Sequence, residues 1–115
     1  MNNGNSVQNH WYLVSSHGAV LFYVALNPGC TIREIAEEMS LTQRTVWGLI
    51  GDLRRAEMLQ VRRDGRRHHY TVNLDAQFRH PVITGISLRT ILGDVVQQHA
   101  RDREGAGQRA TADVR

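Results

Sequence analysis

Apolar side chains recur along this chain first with a helical period and then, after Met58, in strict alternation. The segment HGAVLFYVALN, from His17 to Asn27, is apolar on nearly all sides, which predicts a central buried helix capped by Ser15 or Ser16. Pro28 disfavours helix at Asn27 and Gly29 supplies turn freedom, so the helix ends there. Just upstream, Trp11, Tyr12, Leu13 and Val14 form a short apolar strip expected to pack on the core. Thr31 opens a second helix, and Glu34 three positions on completes a T-x-x-E capping box. Ile32, Ile35, Ala36 and Met39 share one face of it, with Arg33, Glu34, Glu37 and Glu38 opposite. Ser40-Leu41-Thr42 reads as a turn with Leu41 as a buried plug. Thr42 then caps a third helix, expected over 42–57, whose inward face is Val46, Leu49, Ile50 and Leu53.

The alternating stretch predicts two strands, Leu59 to Arg63 and Arg66 to Leu74, joined by Asp64-Gly65 as a type I′ turn. Leu59, Val61, Tyr70, Val72 and Leu74 fall on the core side, and Arg62, Arg67, His69 and Thr71 on the other. After an irregular link, Ser87 is expected to cap a last helix running to about Asp102, with Leu88, Ile91, Leu92, Val95, Val96 and His99 as its apolar stripe. The expected division is a disordered tail over 1–10, a folded unit over 11–80, a C-terminal helix over 81–103 and a disordered tail over 104–115.

The order of helix, turn, helix and basic hairpin is how a small domain lays one helix in a DNA major groove with a hairpin beside it. The face of the third helix opposite its core stripe carries Arg44, Gly48, Gly51 and Arg55. Glycine inside a helix costs about 0.8–1 kcal/mol relative to alanine, so two on one exposed face call for a reason. Close approach of the helix backbone to DNA is such a reason. Thr42, Gln43, Arg44 and Thr45 occupy the N-terminal end, where recognition helices meet base edges, with Trp47 on the flank and Arg55 placed for a phosphate. In the hairpin, Arg62, Arg63, Arg66 and Arg67 surround one Asp64, and His69 shares the outer face, a pattern suited to phosphates or the minor groove.

Composition agrees with that reading without requiring it. The 115 residues suit one domain with tails, and the net charge of +3 permits an anionic partner. Every basic side chain is Arg; a codon bias is the plainest cause, yet each can make two-pronged contacts with phosphate or guanine. A single cysteine, Cys30, excludes an internal disulfide. No charged n-region followed by an apolar stretch opens the chain and no apolar run approaches ~18 residues, so a soluble cytoplasmic protein is expected.

The segments TIREIAEEMSLTQRTVWGLIGDLRRAEML and RRDGRRHHYTV resemble winged helix-turn-helix transcriptional regulators of the MarR-like and ArsR-like type. The resemblance runs from about Trp11 to Val96. It implies a mainly α fold with a small β-hairpin (α+β), recognition positions at Gln43, Arg44, Thr45 and Trp47, and a wing over Arg62 to Arg67. It also implies dimerisation through terminal helices, here the stripe Leu88, Ile91, Leu92, Val95, Val96 and His99. Glu57 stands where such folds usually close the third helix with Gly.

Other chemistry finds little support. There is no Gly-rich phosphate loop, no G-x-S-x-G elbow and no clustered carboxylate pair, so no enzyme and no cofactor are expected. His99 and Asp102 share a helix face, but zinc needs three or four converging ligands, and no metal site is expected. Cys30 sits at a helix start, which favours thiolate, without a resolving cysteine. The expected function is sequence-specific regulation of transcription on double-stranded DNA as a homodimer, with a small-molecule effector left open. Two alternatives remain: a winged helix that binds a protein and does not read DNA, and a non-specific nucleic-acid binder.

Overall fold

The computed structural model describes residues 13–65 and 67–114, with side chains through Arg103; the expected tail over 1–10, together with Trp11 and Tyr12, lies outside the described residues. Six elements follow in order: α1 Ser16–Leu26, α2 Ile32–Met39, α3 Gln43–Arg55, β1 Leu59–Asp64, β2 Arg67–Val72 and α4 Leu88–Val114. Four helices and a two-stranded antiparallel hairpin make the α+β winged helix-turn-helix expected from the pattern.

Local chemistry sets the helix ends. The Ser15 side chain accepts from the Gly18 amide at the start of α1, and the Asn27 amide donates back to the Tyr23 carbonyl at its end. The α2 capping box is complete: the Glu34 amide donates to Thr31 Oγ1 at 3.1 Å, and the Thr31 amide to Glu34 Oε1 at 2.7 Å. Thr42 caps α3 by accepting from the Thr45 amide. α3 stops at Arg55, two residues short of the expected 57, because Glu57 turns into the left-handed region at φ 60°. The Met58 amide then reaches back to the Leu53 carbonyl, the bond pattern of a glycine-type helix stop. A side chain at positive φ is strained. Here the Asn73 side chain donates to the Glu57 carbonyl at 3.0 Å and anchors the turn.

The core collects residues from every element. Val20 and Val24 of α1, Ile35 of α2, Val46 and Ile50 of α3 and Leu92 of α4 are fully buried, with Leu59 and Tyr70 of the hairpin beside them. Leu41 is half-buried, a partial plug between α2 and α3.

Four expectations need correction. The hairpin pairs Asp64 with Arg67 and Leu59 with Val72, so the loop is 65–66 and not Asp64-Gly65. Gly65 still supplies positive φ, at 65°, and moving the loop by one keeps Val61 opposite Tyr70 on the core face. Leu13 and Val14 do not pack as a core strip: Leu13 is 93% exposed and Val14 is exposed too. The Ser87 side chain makes no capping hydrogen bond among the described residues; the first amides of α4, Leu88 and Arg89, donate instead to the carbonyls of Ala76 and Leu74 in the link. α4 itself continues to Val114 and does not give way to a tail after Asp102. The segment from Arg103 has no proline, so every amide can donate to the backbone ladder, although Gly105 and Gly107 are poor helix formers.

Candidate nucleic-acid interface

α3 presents its two faces as its sequence demands. Val46, Ile50 and Leu53 are buried, Leu49 is half-buried, and Gln43, Arg44, Thr45, Trp47, Gly48, Arg54 and Arg55 are exposed. A side-chain carbon added at Gly48 would meet nothing within 4 Å, so the middle of the exposed face is bare backbone. Among the described residues no ion pair holds Arg44, Arg54, Arg62 or Arg63. The Thr42 and Thr45 hydroxyls are engaged with each other at 2.9 Å, which leaves Gln43 and Arg44 as the free polar groups of the first turn.

Gly51 differs from Gly48. It is half-buried, and the Arg55 guanidinium lies over it, with Nη1 3.2 Å from where a side-chain carbon would sit. Arg55 is held in that position by Asp52 Oδ1, while the other carboxylate oxygen of Asp52 accepts from His17 Nε2 on α1 at 2.8 Å. The His17 hydrogen bond, and after it that of Arg55, hold the Asp52 carboxyl below the usual carboxylate range. Asp52 and Arg55 stand at i, i+3, a spacing visible in sequence. His17, thirty-five positions upstream, carries no such signal.

The hairpin is tied to this helix. Trp47, 42% exposed, meets the His68 ring edge-to-face, with centroids 5.4 Å apart and planes at 86°, and His68 in turn leans on Tyr70 at 6.2 Å. On its other edge β2 is held by the turn after α1, where the Tyr70 amide donates to the Pro28 carbonyl and Arg67 Nη1 to the Gly29 carbonyl, at 2.9 and 2.8 Å. Arg62, Arg63, Arg67 and His69 are exposed, as alternation requires; Arg66 lies outside the described residues.

The expected dimer stripe divides. Leu88 and Leu92, 4% and 1% exposed, belong to the chain's own core. Val95 is 37% exposed, and Ile91, Val96 and His99 are half-buried. Asp102 accepts from Gln98 one turn away, and among the described residues no three His, Cys, Asp or Glu side chains gather to hold a metal ion. No helix among the described residues is long and apolar enough to cross a membrane.

Cys30 is buried, and burial first, then the Glu34 carboxylate, push its thiol up to about 11, opposite to the effect expected of a helix start. At neutral pH the thiolate fraction is then about 10⁻⁴, against about 3% for a free cysteine. Alkylation by iodoacetamide, followed by intact mass, should proceed at least ~100-fold more slowly than for a free cysteine and speed up only on unfolding. Labelling at the free-thiol rate in the folded protein would show that Cys30 is neither buried nor raised in pKa.

An exposed helix, bare at Gly48 and joined to an arginine-bearing hairpin, is the arrangement of a winged helix-turn-helix fold. Residues 15–67, a little under half of the chain, match the model of the MarR family. Among solved structures the chain is similar to MepR, a transcription regulator of the Staphylococcus aureus multidrug efflux pump MepA. The two are 17% identical, with a TM-score of 0.52 over 96% of this chain and 82% of that one. A MepR mutant, alanine to valine, from a multidrug resistant S. aureus clinical isolate aligns at 17% identity and a TM-score of 0.48, over 96% and 71% of the two chains. No curated protein gives a significant sequence match.

Proposed function

We propose that the protein is a sequence-specific regulator of transcription that binds double-stranded DNA as a homodimer. α3 enters the major groove and the wing lies on the backbone or minor groove. The observation that carries this reading is the exposed face of α3, with Arg44 projecting beside the bare Gly48 and the Arg62/Arg63 hairpin joined to the same helix through Trp47 and His68. Gln43, Arg44 and Thr45 read base edges, and Arg44 is matched to guanine by its two-pronged geometry. Thr42 orients the first turn and Arg55 meets a phosphate. Arg62, Arg63, Arg66, Arg67 and His69 form the wing's basic surface. The unit over 11–80 carries DNA binding, and the helix beyond it pairs subunits through Ile91, Val95, Val96 and His99. A place for a small-molecule effector is a cavity of about 880 Å³ lined by α1, the end of α3, the link at Phe78 to His80, and α4.

Selection of bound fragments from a random duplex pool tests the reading. Two-fold symmetry predicts a palindrome with half-sites about one helical turn apart, or a multiple of it. Arg44→Ala should cost about 1–3 kcal/mol of binding and relax preference at one position in each half-site. Equal weakening on all duplexes would instead confine Arg44 to the backbone. The exposed acidic side of α2, with Glu34, Glu37 and Glu38, favours a protein partner as the second reading, and absence of duplex binding at low salt would select it.

A further inference from the structure

The wing is basic throughout, yet one of its arginines is already in use. Arg67 reaches thirty-eight positions back in the chain and donates to the Gly29 carbonyl at 2.8 Å, next to the Tyr70–Pro28 backbone bond. The same strand makes the Trp47–His68 edge contact to α3. A two-stranded hairpin standing alone is marginally stable in water, so contacts on its flanks decide where its tip points. Arg62 and Arg63, by contrast, have no ion pair among the described residues and stand on opposite faces of β1, opposite His69 and His68 respectively.

We propose that Arg67 and Trp47 are positioning residues. They tie β2 to both the Pro28-Gly29 turn and the recognition helix, so that Arg62 and Arg63 meet DNA phosphates in a fixed register. This inference rests on the DNA-binding reading above and assigns to Arg67 and Trp47 a role other than direct contact. A guanidinium tied to a carbonyl acts through geometry, whereas a guanidinium on a phosphate releases counterions. The two roles differ in salt dependence.

The test is fluorescence anisotropy on the full chain with a labelled duplex recovered from the random pool, titrated over a decade of salt. Removing one arginine from a phosphate lowers the slope of log K against log salt by about 0.9, so Arg62→Ala with Arg63→Ala should lower it by about 1.8. Arg67→Ala should lower the slope as well, by freeing the wing. Adding it to the Arg62/Arg63 double variant should then change nothing further, because the side chains it positions are already absent. Arg67→Gln, which keeps a donor for the Gly29 carbonyl and removes the charge, should restore the parental slope. Trp47→Phe should behave as the parent and Trp47→Ala as Arg67→Ala. Thermal unfolding of each variant separates displacement of the wing from loss of the fold.

The proposal is overturned if Arg67→Ala leaves the slope unchanged. It is equally overturned if the triple variant falls a further ~0.9 below the double while Arg67→Gln is as impaired as Arg67→Ala, the signature of a direct phosphate contact. A slope unaffected by the Arg62/Arg63 pair would instead reject the DNA-binding reading itself, and the positioning role with it.

Discussion

Truncating Ile50 to alanine should destabilise the protein by about 2–5 kcal/mol, the range for deleting a large aliphatic side chain in a packed interior. Ile50 is fully buried at the middle of the inward face of α3, the helix that packs against α1, α2 and β1. Its neighbours in the core include Val20, Val24 and Ile35, each anchored on a different turn of helix, so the space left behind cannot close by moving one side chain. Domains of this size are stable by about 5–15 kcal/mol in total, and the variant therefore loses a large part of its margin. Ile50→Val, which removes one methylene, should lose only about 0.5–1.5 kcal/mol. Urea melts followed by circular dichroism measure both. A loss below ~1 kcal/mol for the alanine variant would mean that the core is not centred on α3.

Gly48, on the opposite side of the same helix, should respond with stability and DNA binding moving apart. Alanine at this position meets nothing within 4 Å and removes the entropic cost of glycine, so Gly48→Ala should raise stability by about 0.8–1 kcal/mol. If the helix backbone lies against base edges there, the same methyl group pushes the helix outward. Gly48→Leu pushes it further and separates Arg44 from its base, a contact worth about 1–3 kcal/mol. Binding to the selected duplex should then fall by roughly 10- to 100-fold for leucine and less for alanine, while both variants melt at or above the parental temperature. Gly51→Ala gives no such separation, because there the added carbon would sit 3.2 Å from Arg55 Nη1 and displace a guanidinium proposed to meet a phosphate. Undiminished binding by Gly48→Leu would remove close approach as the reason for this glycine.

These expectations follow from features that differ in how far apart their parts lie along the chain. Thr31 with Glu34, Thr42 with Thr45 and Ser15 with Gly18 act within three positions, and each forms as its spacing implies. Strand alternation places Leu59, Val61, Tyr70 and Val72 inward and Arg62, Arg67, His69 and Thr71 outward even though the loop lies one residue later than the Asp-Gly pair indicates. Moving the loop by one residue changes each cross-strand partner by two positions, so every side chain keeps the face that alternation gives it. Glu57 in the left-handed region is a case in which Asn73 and the backbone bonds around the turn hold a conformation its own side chain disfavours.

Local patterning alone specified where the helices and the basic hairpin lie, the caps at Ser15, Thr31 and Thr42 and the bare Gly48 on the outer face of α3, because amphipathic period and capping depend on residues within a turn of one another. Folding in three dimensions decided the rest: that Leu88 and Leu92 serve this chain's own interior, that His17 and Asp52 meet, and that Arg67 is spent on the Gly29 carbonyl. Those outcomes join segments dozens of positions apart. Their partners are chosen by how elements pack, a choice to which neighbouring residues along the chain are blind.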